Sequence, residues 1–204
     1  MIDIHTILPV GFASNTYAVT ADGKTCILID CAQPRVIAEC EKLGLEPKCV
    51  LLTHGHYDHI GGCGALYGVG ARIYCGEREK RLIFSDDNRA VFHGITIPEF
   101  AVFKTVEDGE ELKLCGIDIK VVATPGHTAG GVCYLIDNCI FSGDTLFAGS
   151  VGRTDLATGN FSQLVQSVKK LYALKGDYTV YPGHGESTSL SRERTSNPYV
   201  REGR

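Results

Sequence analysis

The chain predicts a mixed α/β fold in which two sheets pack face to face, with helices on the outside. Three observations lead there. Short apolar runs rich in aliphatic and β-branched residues recur, several of them joined by tight-turn signals. Helix-forming stretches are inserted at intervals between these runs. Each kind of element has an apolar face to bury, and a shared core between layers satisfies both. The 204 residues are enough to bury one such core. No repeat, linker or low-complexity tract divides them, so 1–204 is expected to be a single domain.

Taken in order, residues 2–8, 15–20 and 24–30 read as strands, the last two joined by Ala21-Asp22-Gly23. Pro34 opens a helix running to about residue 43, where Gly44 stops it. The apolar run 49–52 is a short buried strand, followed by a polar loop and a short helix near 64–67. A strand at 71–75 and a helix at 77–84 come next. Residues 85–100 pass from polar to apolar without a clear period and receive no assignment. The segment 103–123 reads as strands interrupted at 107–110 and 115–116. Strands at 132–136 and 139–142 flank the hairpin-like turn Asp137-Asn138. Apolar residues at 161, 164, 165, 168, 171 and 174 trace one helical face. A strand at 178–181 and a helix within 188–196 complete the chain.

A net charge of −4 and a pI near 6.0 leave no basic footprint for nucleic acid or an anionic membrane. No apolar run approaches the eighteen or so residues of a membrane span. Residues 1–5 lack the basic and apolar regions of a signal peptide, so a cytoplasmic location is expected. The nine cysteines include no Cys-x-x-Cys pair, which fits reduced thiols packed as small hydrophobes. Cys31, Cys40 and Cys63 are expected to be the more exposed ones. His5 and His93 stand outside any motif and read as structural, and Tyr57 as a packing residue.

The chemistry concentrates in Thr53-His54-Gly55-His56-Tyr57-Asp58-His59, directly after the buried strand. In extended chain, side chains two apart point the same way, so His54 and His56 can converge on one point. Asp58 and His59, beyond the bend, can face a second. Imidazole and carboxylate without sulfur suit zinc, iron or manganese. The same grammar of strand, glycine turn and candidate ligand recurs at Gly126-His127, Gly143-Asp144 and Gly183-His184. Asp30, at the end of an apolar run, is either a brace for these loops or a plain strand-end cap.

His54-x-His56-x-Asp58-His59, followed by His127, Asp144 and His184, resembles the ligand set of the metallo-β-lactamase-fold superfamily over essentially the whole chain. The resemblance implies an αββα sandwich with a dinuclear site at one edge. It implies His54, His56 and His127 on one divalent metal, and Asp58, His59 and His184 on the other. Asp144 would bridge the two ions, zinc foremost, with iron or manganese also suited. Three branches are set aside. The zinc β-lactamases have cysteine where Asp144 stands, the flavodiiron proteins have glutamate where His56 stands, and the nucleases need inserted domains.

Ser142-Gly143-Asp144-Thr145-Leu146-Phe147 and Gly152-Arg153-Thr154-Asp155 resemble short members of the glyoxalase II-like group. Glyoxalase II proper carries a C-terminal helical region for the glutathione portion, and the chain is expected to lack it. The implied activity is hydrolysis of a small thioester by a metal-bridging hydroxide, with Asp58 and Asp144 in the catalytic machinery. Arg153 would clamp a substrate carboxylate, or else form a structural ion pair with Asp155. The competing expectation is a persulfide dioxygenase, which resembles the chain over the same motifs and holds one iron through His54, His127 and Asp144. A metal-binding module without catalysis would need an incomplete site, and no ligand is missing.

Overall fold

A computed structural model describes residues 2–11 and 13–201. The extreme ends of the expected 1–204 unit lie outside the described residues. Two six-stranded sheets and a two-stranded ribbon carry the fold. The first sheet sets β1 (Asp3–Ile7), β2 (Thr16–Thr20), β3 (Thr25–Ile29), β4 (Glu46–Leu51), β5 (Arg72–Gly76) and β6 (Val102–Val106) side by side in chain order. The second is built from β7 (Glu111–Leu114), β8 (Ile117–Ala123), β9 (Val132–Ile136) and β10 (Cys139–Gly143). The ribbon follows as β11 (Leu146–Phe147) and β12 (Ser150–Val151), after which β13 (Thr179–Pro182) and β14 (Thr188–Ser189) rejoin the second sheet beside β10.

Hairpins account for less of the first sheet than the sequence implies. β1 to β3 are antiparallel, whereas β3 to β6 run parallel. Parallel neighbours require crossovers, and helices supply them. These are α1 (Val36–Lys42), α2 (Tyr57–Ile60), α3 (Cys63–Gly68) and α4 (Glu79–Ile83). The second sheet is antiparallel except where β13 lies parallel to β10. Its outer face is covered by α5 (Phe161–Tyr172) and α6 (Leu190–Ser196).

Alternation along each strand builds the layers. Ile27 and Ile29 face the second sheet, meeting Val121, Tyr134, Ile136 and Phe141, while Cys26 and Leu28 face Val36, Cys40 and Leu66 of the helices. On the far side Val168 and Leu171 of α5 pack on Cys133, Ile140 and Val180. The Asn160 side chain accepts from Gln163 N at 3.0 Å and caps α5. The expected αββα order is what forms.

Cys31, Cys40 and Cys63 are fully buried, not exposed, because they are pressed between the first sheet and its helices. All nine cysteines are free thiols, and Cys115, beside a turn, is the one partly open to solvent. The unassigned 85–100 segment contains short 3₁₀ turns at Asp86–Asn88 and Val91–His93, and 95–100 are irregular. Runs that brief set no sequence period. No helix among the described residues is long and apolar enough to cross a membrane.

Candidate metal centre

All seven expected ligands meet where the strands of both sheets end. His54 and His56 lie on extended chain past β4. Asp58 and His59 sit in the single turn of α2, a helix too short to show as periodicity. His127, Asp144 and His184 follow β8, β10 and β13. Backbone bonds clamp the loops together: Gly183 N donates to Gly143 O at 2.8 Å, Asn15 N to Gly183 O at 2.7 Å, and Val132 N to Thr53 O at 2.9 Å. Glycine beside the ligands is required by close approach. A Cβ on Gly183 would fall 2.3 Å from Asp144 Oδ1, and one on Gly152 would fall 1.8 Å from Asp144 O.

The donor atoms form overlapping groups, each spanning no more than 4.8 Å: His54, His56 and His127; His54, His59 and Asp144; and Asp58, His59 and His184. Asp144 lies between the outer two, with Oδ1 3.3 Å from His59 Nε2 and Oδ2 3.5 and 3.7 Å from His127 Nε2 and His184 Nε2. Asp58 Oδ2 is 3.1 Å from His184 Nε2.

The donor chemistry fits cations. His127 Nδ1 donates to Arg153 O at 2.7 Å, because a carbonyl can only accept, which leaves Nε2 as the ring nitrogen turned toward the other ligands. That Nε2 lies 2.9 Å from His56 Nδ1 and 3.2 Å from His54 Nε2. Burial, reinforced by neighbouring imidazoles, holds His54 neutral well below the ordinary histidine range and takes His56 down to about 3. Around His59 the balance reverses. Burial disfavours its charge, but Asp30, then Asp144 and Asp58, override it and raise its pKa. His59 Nε2 and Asp144 Oδ1 face each other, buried and without hydrogen-bond partners. So many carboxylates in so small a volume demand positive charge, from protons or from metal.

Two carboxylates behind the ligands fix the loops. Asp30, held at φ 57°, accepts from Thr53 N at 2.7 Å, Thr53 Oγ1 at 2.8 Å and His59 Nδ1 at 2.7 Å. This is the brace rather than the plain cap, and it orients His59 as outer-shell carboxylates orient metal-binding histidines. Glu79, 1% exposed, was not legible in the sequence, where it reads as an ordinary helix-opening acid. Its oxygens accept from Gly55 N at 2.7 Å and Gly130 N at 2.8 Å, tying the His54–His56 loop to the His127 loop. An amide has one accepting oxygen, so Glu79→Gln leaves one N–H facing an NH₂ group. We expect a loss of about 1–3 kcal/mol in stability and roughly tenfold weaker metal binding, read by thermal melting and metal titration.

Above the ligands opens a cavity of about 470 Å³, whose walls include Tyr57, Arg89, His93, Phe147 and Arg153. The His93 ring stacks on Tyr57 at 4.4 Å and forms part of the wall. Arg153 lines the cavity, but its fork is closed on Asp155, Nε to Oδ1 at 2.7 Å and Nη2 to Oδ2 at 2.6 Å. Its backbone carbonyl, a group invisible to sequence reading, is what positions His127.

Comparison with known proteins agrees with this architecture. The family model described as the Metallo-beta-lactamase superfamily matches residues 9–184. Hydroxyacylglutathione hydrolase GloC of Haemophilus influenzae is 35% identical over 204 residues, covering 95% of this chain and 96% of that one. Among solved structures, BLEG-1, described as a B3 metallo-beta-lactamase, superposes with a TM-score of 0.89 at 28% identity, covering 98% and 99% of the two chains. TTHA1623, in a di-iron-bound form, gives 0.83 at 32% identity, covering 97% and 100%. ETHE1 from Myxococcus xanthus gives 0.80 at 27% identity, covering 96% and 83%.

Proposed function

Because the chain belongs to the metallo-beta-lactamase superfamily, we propose that it is a metal-dependent hydrolase of the glyoxalase II-like kind, acting on small thioesters. The observation that carries this reading is the convergence of two ligand triads with Asp144 between them. His54, His56 and His127 would hold one divalent ion, Asp58, His59 and His184 the other, with Asp144 shared. Zinc, iron and manganese all suit this donor set, and the di-iron form of TTHA1623 supports iron. Two such ions, when bound, lower the pKa of water and polarise a carbonyl.

The chain's own residues supply the rest. Asp58, at the cavity floor and kept ionised against burial by His59 and His184, orients the attacking water and takes its proton. Asp30 and Glu79 hold the floor rigid, and Tyr57, His93 and Phe147 wall off bulk water. A thiolate leaves readily, so no protein acid is required at the leaving group. Nine free thiols suit a reducing, cytoplasmic setting.

Arg153 keeps a small share of substrate binding, since Asp155 compensates its charge. Arg153→Ala is expected to raise KM by no more than about threefold with kcat unchanged, as for an exposed ion pair. A rise of about thirtyfold would make it the principal clamp.

The likeness to ETHE1 favours a second reading, a mononuclear iron persulfide dioxygenase using His54, His127 and Asp144. The Asp58–His59–His184 triad belongs to the motifs that both readings share, so turnover and not ligand count separates them. The deciding assay offers the metal-loaded protein a 2-hydroxyacyl glutathione thioester, a glutathione persulfide and a chromogenic cephalosporin in parallel. Thiol release from the first supports the proposal. Oxygen uptake with the second, or hydrolysis of the third alone, overturns it.

A further inference from the structure

We propose that Arg89 is the specificity-determining residue of this cavity, recognising a carboxylate on the part of the substrate that points away from the ligands. The inference rests on the hydrolase reading and names the substrate class within it, an anionic thioester.

Arg89 shares the cavity with Asp58, Asp144 and His184. The other charged groups there already have partners: Asp58 and Asp144 belong to the ligand cluster, and Arg153 is closed on Asp155. Among the described residues, no carboxylate lies within ion-pair distance of the Arg89 guanidinium. Its contact is the Phe92 ring, 4.2 Å from Cζ to the centroid. A ring face holds a guanidinium in place without neutralising it. The result is a half-buried, oriented cation without an ion-pair partner among the described residues, its field felt by Asp155, whose oxygens are closed on Arg153. A neutral substrate has no use for it. An anionic one needs it to enter a chain of net charge −4.

The backbone points the same way. Arg89 adopts φ 75°, a left-handed conformation uncommon for residues other than glycine. It ends the turn Asp86–Asn88, with its N–H on Asp86 O at 3.0 Å, and Asn88 fastens that turn to Ile83 O at 2.9 Å and to Ala90 N at 2.8 Å. Glycine would satisfy this backbone better. An arginine there is explained by its side chain, and a planar fork is the donor that matches a carboxylate through two parallel bonds.

The test compares wild type, Arg89→Gly and Arg89→Lys, with Arg81→Ala as a control that removes an exposed charge outside the cavity. Each metal-loaded protein is titrated calorimetrically with S-methylglutathione, an uncleavable anionic thioether, and with neutral S-methyl-N-acetylcysteamine. Wild type is expected to bind the anionic probe more tightly. Arg89→Gly should weaken that binding 10- to 100-fold, leave the neutral probe unaffected, and melt no lower than wild type. Arg89→Lys should recover only part of the loss, because a point charge lacks the fork. KM for the matching glutathione thioester should rise by the same factor with kcat retained.

Equal binding of the two probes by wild type, or unchanged anionic binding in Arg89→Gly, overturns the assignment. So does a parallel loss for both probes in Arg89→Gly and Arg89→Lys. Binding that depends on Arg89 without any thioester turnover would uphold the anion site and remove the hydrolase reading instead.

Discussion

Asp144→Ala should lose one of the two metals and at least about a thousandfold in kcat/KM, the scale on which removal of key electrostatic groups is felt. The side chain is the one carboxylate that faces both outer ligand groups, reaching His59 with one oxygen and His127 and His184 with the other. Burial opposes its charge, yet His59, His127 and His184 together hold its pKa far below the usual carboxylate range. It is therefore anionic across the working pH range, as a bridging ligand must be. Asp144→Asn keeps the shape and removes the charge, and should fall nearly as far. Full metal loading and full turnover in either variant would mean that the bridging role is wrong.

Asp30→Ala should be the most destabilising change near the site although it removes no proposed ligand. Three buried donors lose their acceptor at once: Thr53 N, Thr53 Oγ1 and His59 Nδ1. Leaving buried polar and ionic partners uncompensated costs about 3–5 kcal/mol. For a domain near this size that is roughly a 10 °C drop in melting temperature. Melting in the presence of chelator separates this term from metal linkage. Metal affinity should fall a further 10- to 100-fold, because His59 loses the group that sets its tautomer. Asp30→Asn, whose side chain tolerates the positive φ, should retain part of the stability. An unchanged melting temperature in Asp30→Ala would return Asp30 to a simple strand-end cap.

The candidate ligands were legible because strand ends are marked twice in sequence, by the apolar run and by the glycine that lets two loops approach. Helix 161–172 was legible because one face lies on a sheet while the other meets solvent, so burial imposed a period. The parallel half of the first sheet was not. The second half of β4 and most of β5 are covered on both faces, so β4 ends as an apolar run without alternation, and pairing partners lie across helices. α2 escaped because four residues carry no period. Glu79 and Arg89 escaped for another reason. Each is defined by what it faces in space, and Arg89 stands on 3₁₀ turns that no pattern announces. The exclusion of β-lactamases rested on the identity of one residue, Asp144. The close superposition with BLEG-1 shows that the overall fold does not itself make that distinction.

The central claim is a two-metal site, and elemental analysis of protein purified without chelator or added metal tests it most directly. Close to two equivalents of zinc, iron or a mixture per chain is the predicted result, falling toward one in Asp144→Ala. A single iron per chain that survives the loss of His184 would contradict it.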